Sequence, residues 1–431
     1  MGRSMRRNQS TKPLPNEIVS ITKLVHGGQG LGELADGKKV FVWNALPGET
    51  VRVQVIKQKK SYAEAIAEEV MVASPERIEP RDANYLSTSP WQIVNFAAEN
   101  KFKQQIVKEL FEHEKVTLPK VTKVIFGQQD WHYRNKMEYS FWGDDDGLHL
   151  ALHQRGTHGK QVVTGSALAL PAIDAAANAL AEQLSALNGR AGDLKSLMIR
   201  TDGQGNTVAA LFVKLESFKK LTLPSELKGL RVYHSNPKSP ASVPTKLLYE
   251  IGETTLTDEI NGNTLKYDPV SFFQANVPVF ELAVQSIATA TKSAKKITDF
   301  YSGVGSIGLS LANTTTLVET DGLAVDMAKI NVGQKDIEVV HATAEAAVEY
   351  ITNDATLIVD PPRAGLHQKV INRILDVLPT QIIYVSCNPA TQARDLKLLE
   401  ETYKVTKFEI YNFFPKTPHI ETLAILKKLT K

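Results

Sequence analysis

Between residues 17 and 72 the chain alternates short apolar runs with turns that are glycine-rich or built on Pro-Gly: Ile18-Val19-Ser20-Ile21, Val40-Phe41-Val42-Trp43, Val51-Arg52-Val53-Gln54-Val55 and residues 63–72. Short runs bounded by turn residues predict strands. Val51, Val53 and Val55 alternate with Arg52 and Gln54, which gives that strand one apolar and one polar face. Several such strands in so little sequence predict a small β-barrel of the oligonucleotide-binding (OB) kind. After a proline-bearing connection, Phe102, Ile106, Val107 and Leu110 recur at helical spacing and predict a packing helix over residues 99–114. Residues 131–267 mix strand-like stretches (136–141, 196–200, 207–213) with an alanine-rich helix over 173–187, an α+β pattern. From Ile297 onward strands at 297–300, 316–319, 337–341, 356–360 and 381–386 are each followed by a helical pattern, and two further strands at 405–411 and 421–427 close the chain. That alternation predicts an α/β domain with a doubly wound parallel sheet. The expected organisation is a disordered basic tail over 1–13, the barrel over 14–73, a linker and packing helix over 74–130, the central α+β domain over 131–267 and the α/β domain over 268–431.

Composition narrows the class. The 431 residues are 42% hydrophobic and 23% charged, with a net charge of +3, so any attraction to nucleic acid must come from local patches. A single cysteine excludes a disulfide framework, a cysteine-based zinc site and a four-cysteine iron–sulfur cluster, and it fits a reducing cytosol. No apolar stretch is long enough to span a bilayer, and Arg3, Arg6, Arg7 and Lys12 precede no apolar segment. The expectation is a cytoplasmic monomer without a membrane partner or a bound metal. Two basic stretches are candidates for RNA contact. Lys57, Lys59 and Lys60 end a barrel strand, and Tyr133 and Arg134 belong to Trp131-His132-Tyr133-Arg134-Asn135-Lys136, which interleaves aromatic and basic residues. A solvated lysine turn and a cluster of core aromatics would read the same way.

Candidate chemistry collects in the α/β part, where ligands bind at the carboxyl ends of strands. Cys387 follows the run Ile382-Ile383-Tyr384-Val385, and Asn388-Pro389 starts a helix, so its thiol is expected near a helix N-terminus, a setting that favours thiolate. The first βα turn, Tyr301-Ser302-Gly303-Val304-Gly305-Ser306-Ile307-Gly308, is a literal GxGxxG that suits a nucleoside-containing cofactor without fixing its identity. Glu319 ends the second strand, where a carboxylate accepts from ribose hydroxyls. Asp360-Pro361-Pro362-Arg363 ends the fourth on a rigid shelf. His419 and Glu421 precede the last strand, and either is a possible proton acceptor. Read alone, Glu421 is equally an ordinary surface carboxylate.

With Asp360-Pro-Pro-Arg363, Ser386-Cys387-Asn388-Pro389 and Phe414-Pro-Lys-Thr-Pro-His-Ile-Glu421 in this order, the chain resembles the RNA uridine-C5 methyltransferases. The resemblance extends to Phe272-Phe273-Gln274-Ala275-Asn276, to Tyr133-Arg134-Asn135 and, in the barrel, to the TRAM-like run Gly27-Gly28-Gln29-Gly30-Leu31-Gly32. It implies a Rossmann-like class I methyltransferase domain and S-adenosyl-L-methionine as cofactor, held by Gln274, Tyr301, Gly303, Gly305, Glu319 and Asp360. It also implies Cys387 as nucleophile, Glu421 as general base, Asp360 beside both cofactor and base, and Arg363 among the residues facing RNA. Many members carry iron–sulfur cysteines where this chain has Asp82, Thr88 and Trp91, with a fourth near Leu170-Pro171, so no cluster is expected. The barrel tilts the expected substrate toward 23S ribosomal RNA over a tRNA T-loop. A dinucleotide-dependent oxidoreductase rests on the literal GxGxxG alone, and a catalytically dead RNA-binding protein is at odds with an intact Cys387 and Glu421.

Overall fold

The valine alternation decides the N-terminal architecture: strand Thr50–Gln58 buries Val51, Val53 and Val55 and exposes Arg52 and Gln54. The structure, a computed structural model, describes residues 16–119, 123–157 and 159–429, and the expected basic tail lies outside them. The described chain divides into two compact units, Met1–Phe102 with Lys416–Pro418, and Lys103–Pro415 with His419–Lys431.

In the first unit six strands form one mixed sheet. Asn16–Ser20 lies at one edge, followed by Thr50–Gln58, Tyr62–Val72, Lys39–Trp43, Gly30–Glu33 and, at the other edge, Lys23–Leu24. Only Ile21 and Thr22 separate the two edge strands in the chain. A link that short spans at most about 10 Å, so the sheet must curl around its own core. That core is Val19, Ile21, Val40, Val42, Val51, Val53, Val55 and the alanines 63, 65 and 67. Each buried valine contributes about 1.5–3 kcal/mol. Lys59 and Lys60 are exposed, and Lys57, also exposed, pairs with Glu64 at 2.7 Å.

The stretch carrying Asp82, Thr88 and Trp91 is knitted by the buried Gln92. Its Oε1 accepts from the backbone N–H groups of Arg81 (2.9 Å) and Asp82 (3.1 Å), and its Nε2 donates to Asp82 Oδ2 (2.8 Å) and Ser89 Oγ (2.7 Å). Trp91, also buried, donates its indole N–H to Gly28 O at 2.9 Å.

In the second unit a seven-stranded sheet, Lys136–Asp144 near its centre, packs one face against helix Pro171–Ala186. The expected strand over 207–213 is observed as Thr207–Val213, and Pro171 sits in the first helical turn, where its missing N–H costs nothing. The hairpin Leu256–Ile260 and Asn263–Tyr267 buries Leu256, Ile260, Leu265 and Tyr267 in the α/β core, although it precedes the expected boundary at 267.

The α/β sheet has eight strands in the order Glu338–His341, Thr314–Glu319, Ile297–Phe300, Thr356–Val359, Gln381–Ser386, Glu421–Lys428, Tyr403–Tyr411 and Val124–Ile125. The first five are parallel, and Glu421–Lys428 runs antiparallel to its neighbours. Two expectations need correction. Val124–Ile125, inside the expected linker, adds an edge strand, because two residues carry no periodicity. The helix expected after the glycine turn is only a 3-10 turn, Gly308–Ser310, since glycines at 303, 305 and 308 disfavour helix. Among the described residues no helix is long and apolar enough to cross a membrane.

Candidate active site

Parallel strands deliver their carboxyl ends to one edge, and the candidate residues gather there. Phe300 pairs with Val318 on one side and Val359 on the other, so Tyr301, Glu319 and Asp360 leave the sheet together. On the next strands Ser386 pairs with Thr422, so one further step sets Cys387 against Glu421.

The glycine turn is held open from below and from the side. Tyr301 (φ +63°), Gly303 (φ +56°) and Gly305 (φ +88°) all have left-handed backbone. A Cβ on Gly305 would meet Leu309 Cδ1 at 2.6 Å, whereas one on Gly303 would project into space with no atom within 4 Å. The Gly303 N–H donates to Glu319 Oε2 (2.8 Å), while Glu319 Oε1 accepts from Thr320 and Asp321 N–H (both 2.7 Å). Both carboxylate oxygens are thereby fixed and retain acceptor capacity for hydroxyl donors. Beneath the turn, Asp299 Oδ2 accepts from Gly308 N–H (2.8 Å) and Oδ1 is buried without a partner. Burial pushes the Asp299 carboxyl up to about 8, so it is a neutral strut at neutral pH. Sequence reasoning passed over Asp299, although its place before the glycine turn was the available signal.

Gln274 is presented by a buried guanidinium. Arg200 donates to Ser271 O (2.8 Å) and Phe273 O (2.5 Å) and lies over the Tyr267 ring, itself stacked on Phe273 at 4.0 Å. Gln274 O accepts from Asn135 Nδ2 (3.0 Å), and the Gln274 side chain bonds to no other described residue. A left-handed glycine cradle, a fixed acceptor pair at Glu319 and the buried Gln274 fit a nucleoside-containing cofactor such as S-adenosyl-L-methionine.

The Asp360–Arg363 shelf and the cysteine loop are joined. Asn388 Nδ2 and Thr391 Oγ1 both donate to Arg363 O (2.8 and 3.2 Å), and Asn388 Oδ1 caps helix Pro389–Leu399 at Ala390 N–H. The expectation that the helix N-terminus favours thiolate is overturned. Burial first, then the charges of Glu421 and Asp360, push the Cys387 thiol up to about 11, and Arg363 offsets only part of this. The buried Glu421 is raised well above the ordinary carboxylate range by desolvation and by Asp360. Asp360 is half-buried and is raised by desolvation. Three acidic groups crowd one edge, so at rest the site holds protons.

The expected RNA contacts divide. Tyr133 is buried and donates its hydroxyl to Pro415 O (2.9 Å), a core position rather than the exposed stacking platform expected. Arg134 lies over the Phe414 ring at 5.7 Å, Phe414 meets His419 edge-on at 5.8 Å, and His419 Nδ1 lies 3.3 Å from the exposed Arg363. Arg134 and Arg363 thus bracket an aromatic pair at the site.

The sequence profile of the tRNA (uracil-5-)-methyltransferase family matches residues 95–353 and 347–429, and that of the TRAM domain matches residues 18–67. The chain belongs to the tRNA (uracil-5-)-methyltransferase family. It is an RNA (uracil-C5)-methyltransferase that uses S-adenosyl-L-methionine, which removes the oxidoreductase reading of the glycine turn. An uncharacterized RNA methyltransferase of Lactobacillus johnsonii is 31% identical, covering 96% of this chain and 99% of that protein. One from Thermotoga maritima is 28% identical, with the same coverage. The crystal structure of Pyrococcus abyssi tRNA (uracil-54, C5)-methyltransferase with S-adenosyl-L-homocysteine superposes with a TM-score of 0.75. It covers 95% of this chain and 100% of that one at 22% identity, a shared fold.

Proposed function

We propose that this enzyme methylates C5 of a uridine in 23S ribosomal RNA through a covalent bond between Cys387 and C6 of the base, resolved by Glu421. The observation that carries the reading is the register that sets Cys387 against Glu421 at the edge where the glycine cradle opens. Uracil C5 is a weak carbon nucleophile, and addition of a thiolate to C6 makes it an enolate carbon. S-adenosyl-L-methionine, when bound, supplies the electrophilic methyl group. Glu421 then accepts the C5 proton, the C6–S bond breaks and Cys387 leaves as thiolate. A thiol with a pKa near 11 is ionised in only about one molecule in ten thousand at pH 7. Attack therefore needs a nearby acceptor for its proton, and Asp360, raised by desolvation to about 7 and so a stronger base than an ordinary carboxylate, is the group in place, which leaves Glu421 free to take the C5 proton. Arg134 and Arg363 would hold backbone phosphates while the uridine is flipped between them.

The Pyrococcus protein, named for uracil-54 of tRNA, spans 95% of this chain, so the TRAM domain does not by itself separate the two RNA classes, and a tRNA T-loop uridine is the second reading. Mapping 5-methyluridine in 23S ribosomal RNA and in tRNA from a deletion strain decides between them. Loss from 23S RNA that wild-type protein restores and Cys387→Ala does not supports the proposal. Loss confined to tRNA supports the second reading, and no loss in either RNA overturns both.

A further inference from the structure

The strand that ends opposite Glu421 leaves the sheet through residues 412–415, and this exit is held by a fully buried cation. Tyr411 is the cross-strand partner of Glu421. Immediately after it, the buried Asn412 gives its N–H to Ile125 O (2.8 Å), and three successive carbonyls are tied to three separate parts of the fold. Phe413 O accepts from Asn276 Nδ2 (2.9 Å), Phe414 O from Lys103 Nζ (3.1 Å) and Pro415 O from the Tyr133 hydroxyl (2.9 Å). Lys103 Nζ also donates to Asn412 Oδ1 at 2.6 Å, so one ammonium holds both sides of the exit. Lysine is almost never fully buried without a task, because its charge must be desolvated and its stem fixed. A leucine at this position of helix Phe96–His113 would fill the same space.

We infer that Lys103 is a positioning residue for Glu421: its ammonium clamps residues 412–414 beside the base and keeps a positive charge next to that carboxylate during turnover. The charged groups that face Glu421 are Asp360 and Cys387, which oppose its ionisation once they are themselves ionised, and Arg363 and Lys103, which favour it. Arg363 acts more strongly in the bare protein, but it is exposed, where water screens its charge and an RNA phosphate would neutralise it. Lys103 is 0% exposed, and no phosphate reaches it.

The inference rests on Glu421 being the base, and the test separates the two. Lys103→Met, Glu421→Gln and the double variant are compared with wild type. The readouts are turnover, RNA KM, S-adenosylhomocysteine affinity and the fraction of enzyme trapped on labelled RNA in a denaturing gel. Lys103→Met should keep KM and cofactor affinity, lose at least about tenfold in kcat, part of the 10²–10⁴ a positioned base supplies, and accumulate adduct. Its rate of adduct resolution should reach its plateau at a higher pH than that of wild type. In the Glu421→Gln background the Lys103 substitution should change neither kcat nor adduct level, since the step it serves is already gone. Should Lys103→Met not fold, Asn412→Ala, which removes the closer acceptor and leaves the lysine in place, should show the same split to a smaller extent. Normal kcat in Lys103→Met, or a loss of kcat without adduct, overturns the inference while leaving Glu421 untouched. Full turnover in Glu421→Gln alone overturns the base reading and this inference with it.

Discussion

Cys387 and Glu421 lie one step beyond the Ser386–Thr422 pair of two antiparallel strands, facing each other across the edge of the sheet. Burial makes the thiol reluctant to ionise, and the charges that Glu421 and Asp360 carry once ionised add to that reluctance. As the only cysteine in the chain, Cys387 can be followed by iodoacetamide labelling alone. In the free protein the alkylation rate should rise toward a midpoint near pH 11, where an ordinary thiol has its midpoint near 9.0. Glu421→Gln should lower that midpoint by about one pH unit, the scale on which a neighbouring charge acts. A midpoint below that of a free thiol would sink this account. The same shift has a consequence for stability. The folded form holds the thiol proton more tightly than the unfolded form, so this contribution is intact below pH 9.0, the ordinary thiol value, and is lost as pH rises through about 11.

The two glycines of the cradle should respond differently to alanine. At Gly305 the left-handed φ of +88° and the 2.6 Å approach to Leu309 combine, so Gly305→Ala should cost about 1–3 kcal/mol of stability, visible in a thermal melt. At Gly303 the added methyl meets nothing within the protein. Gly303→Ala should therefore lose only about 1 kcal/mol of stability, from its φ of +56°. It should nevertheless weaken S-adenosylhomocysteine binding by about tenfold, or 1.4 kcal/mol, because the methyl stands where the cofactor would lie. Equal affinity in wild type and Gly303→Ala would show that the ligand lies elsewhere.

Gln92 provides a stability test of the stretch carrying Asp82, Thr88 and Trp91. Its amide satisfies two backbone N–H groups and two side-chain acceptors inside a buried turn. Gln92→Ala removes all of these partners at once, and buried groups left unpaired cost about 1–3 kcal/mol each. A fall of about 3 kcal/mol in unfolding free energy, measured by urea titration, is expected. Protein purified anaerobically should be colourless, and a chelator should not shift its melting temperature. Stoichiometric iron and sulfide, or a melt that collapses on chelation, would defeat the expectation.

What could be read along the chain and what could not follow from how each feature is encoded. The valine alternation at 51, 53 and 55 and the apolar runs before Phe300, Val359 and Ser386 placed the strands, because burial imposes a period or a continuous apolar stretch. The short loops after those strands could be assigned to one edge for the same reason. The electrostatics were not legible. A helix N-terminus suggests a thiolate at Cys387, yet burial first, and then the charges of Glu421 and Asp360, 34 residues after it and 27 before, reverse the sign. Tyr133 had the composition of a stacking platform, and only the position of Pro415 showed that its hydroxyl is spent inside the fold. Lys103 lay unremarked between Phe102 and Ile106, since a buried lysine breaks no pattern that a polar residue on a helix would not also break.

Glu421→Gln separates the base from an ordinary carboxylate most sharply. The first strand residue, Glu421 is buried and paired with Tyr411, so replacement by its near-isosteric amide should leave the sheet intact and the melting temperature within a few degrees of wild type. If Glu421 removes the C5 proton, attack by Cys387 and methyl transfer both precede its step and should still occur. Elimination of the thiolate requires the C5 proton to be gone, so the enzyme should stall on its RNA. A denaturing gel with labelled RNA and S-adenosyl-L-methionine should then show a band of protein joined to RNA, with turnover reduced by about 10²–10⁴. Cys387→Ala should give no such band and no turnover while binding S-adenosylhomocysteine as wild type does. The adduct should resolve faster as pH rises in any variant that keeps Glu421, since a carboxyl held well above its ordinary range gains base form with pH, and the Gln variant should lose that dependence. Normal turnover of Glu421→Gln without trapped RNA would remove Glu421 from the mechanism and leave His419 or a water to take the proton.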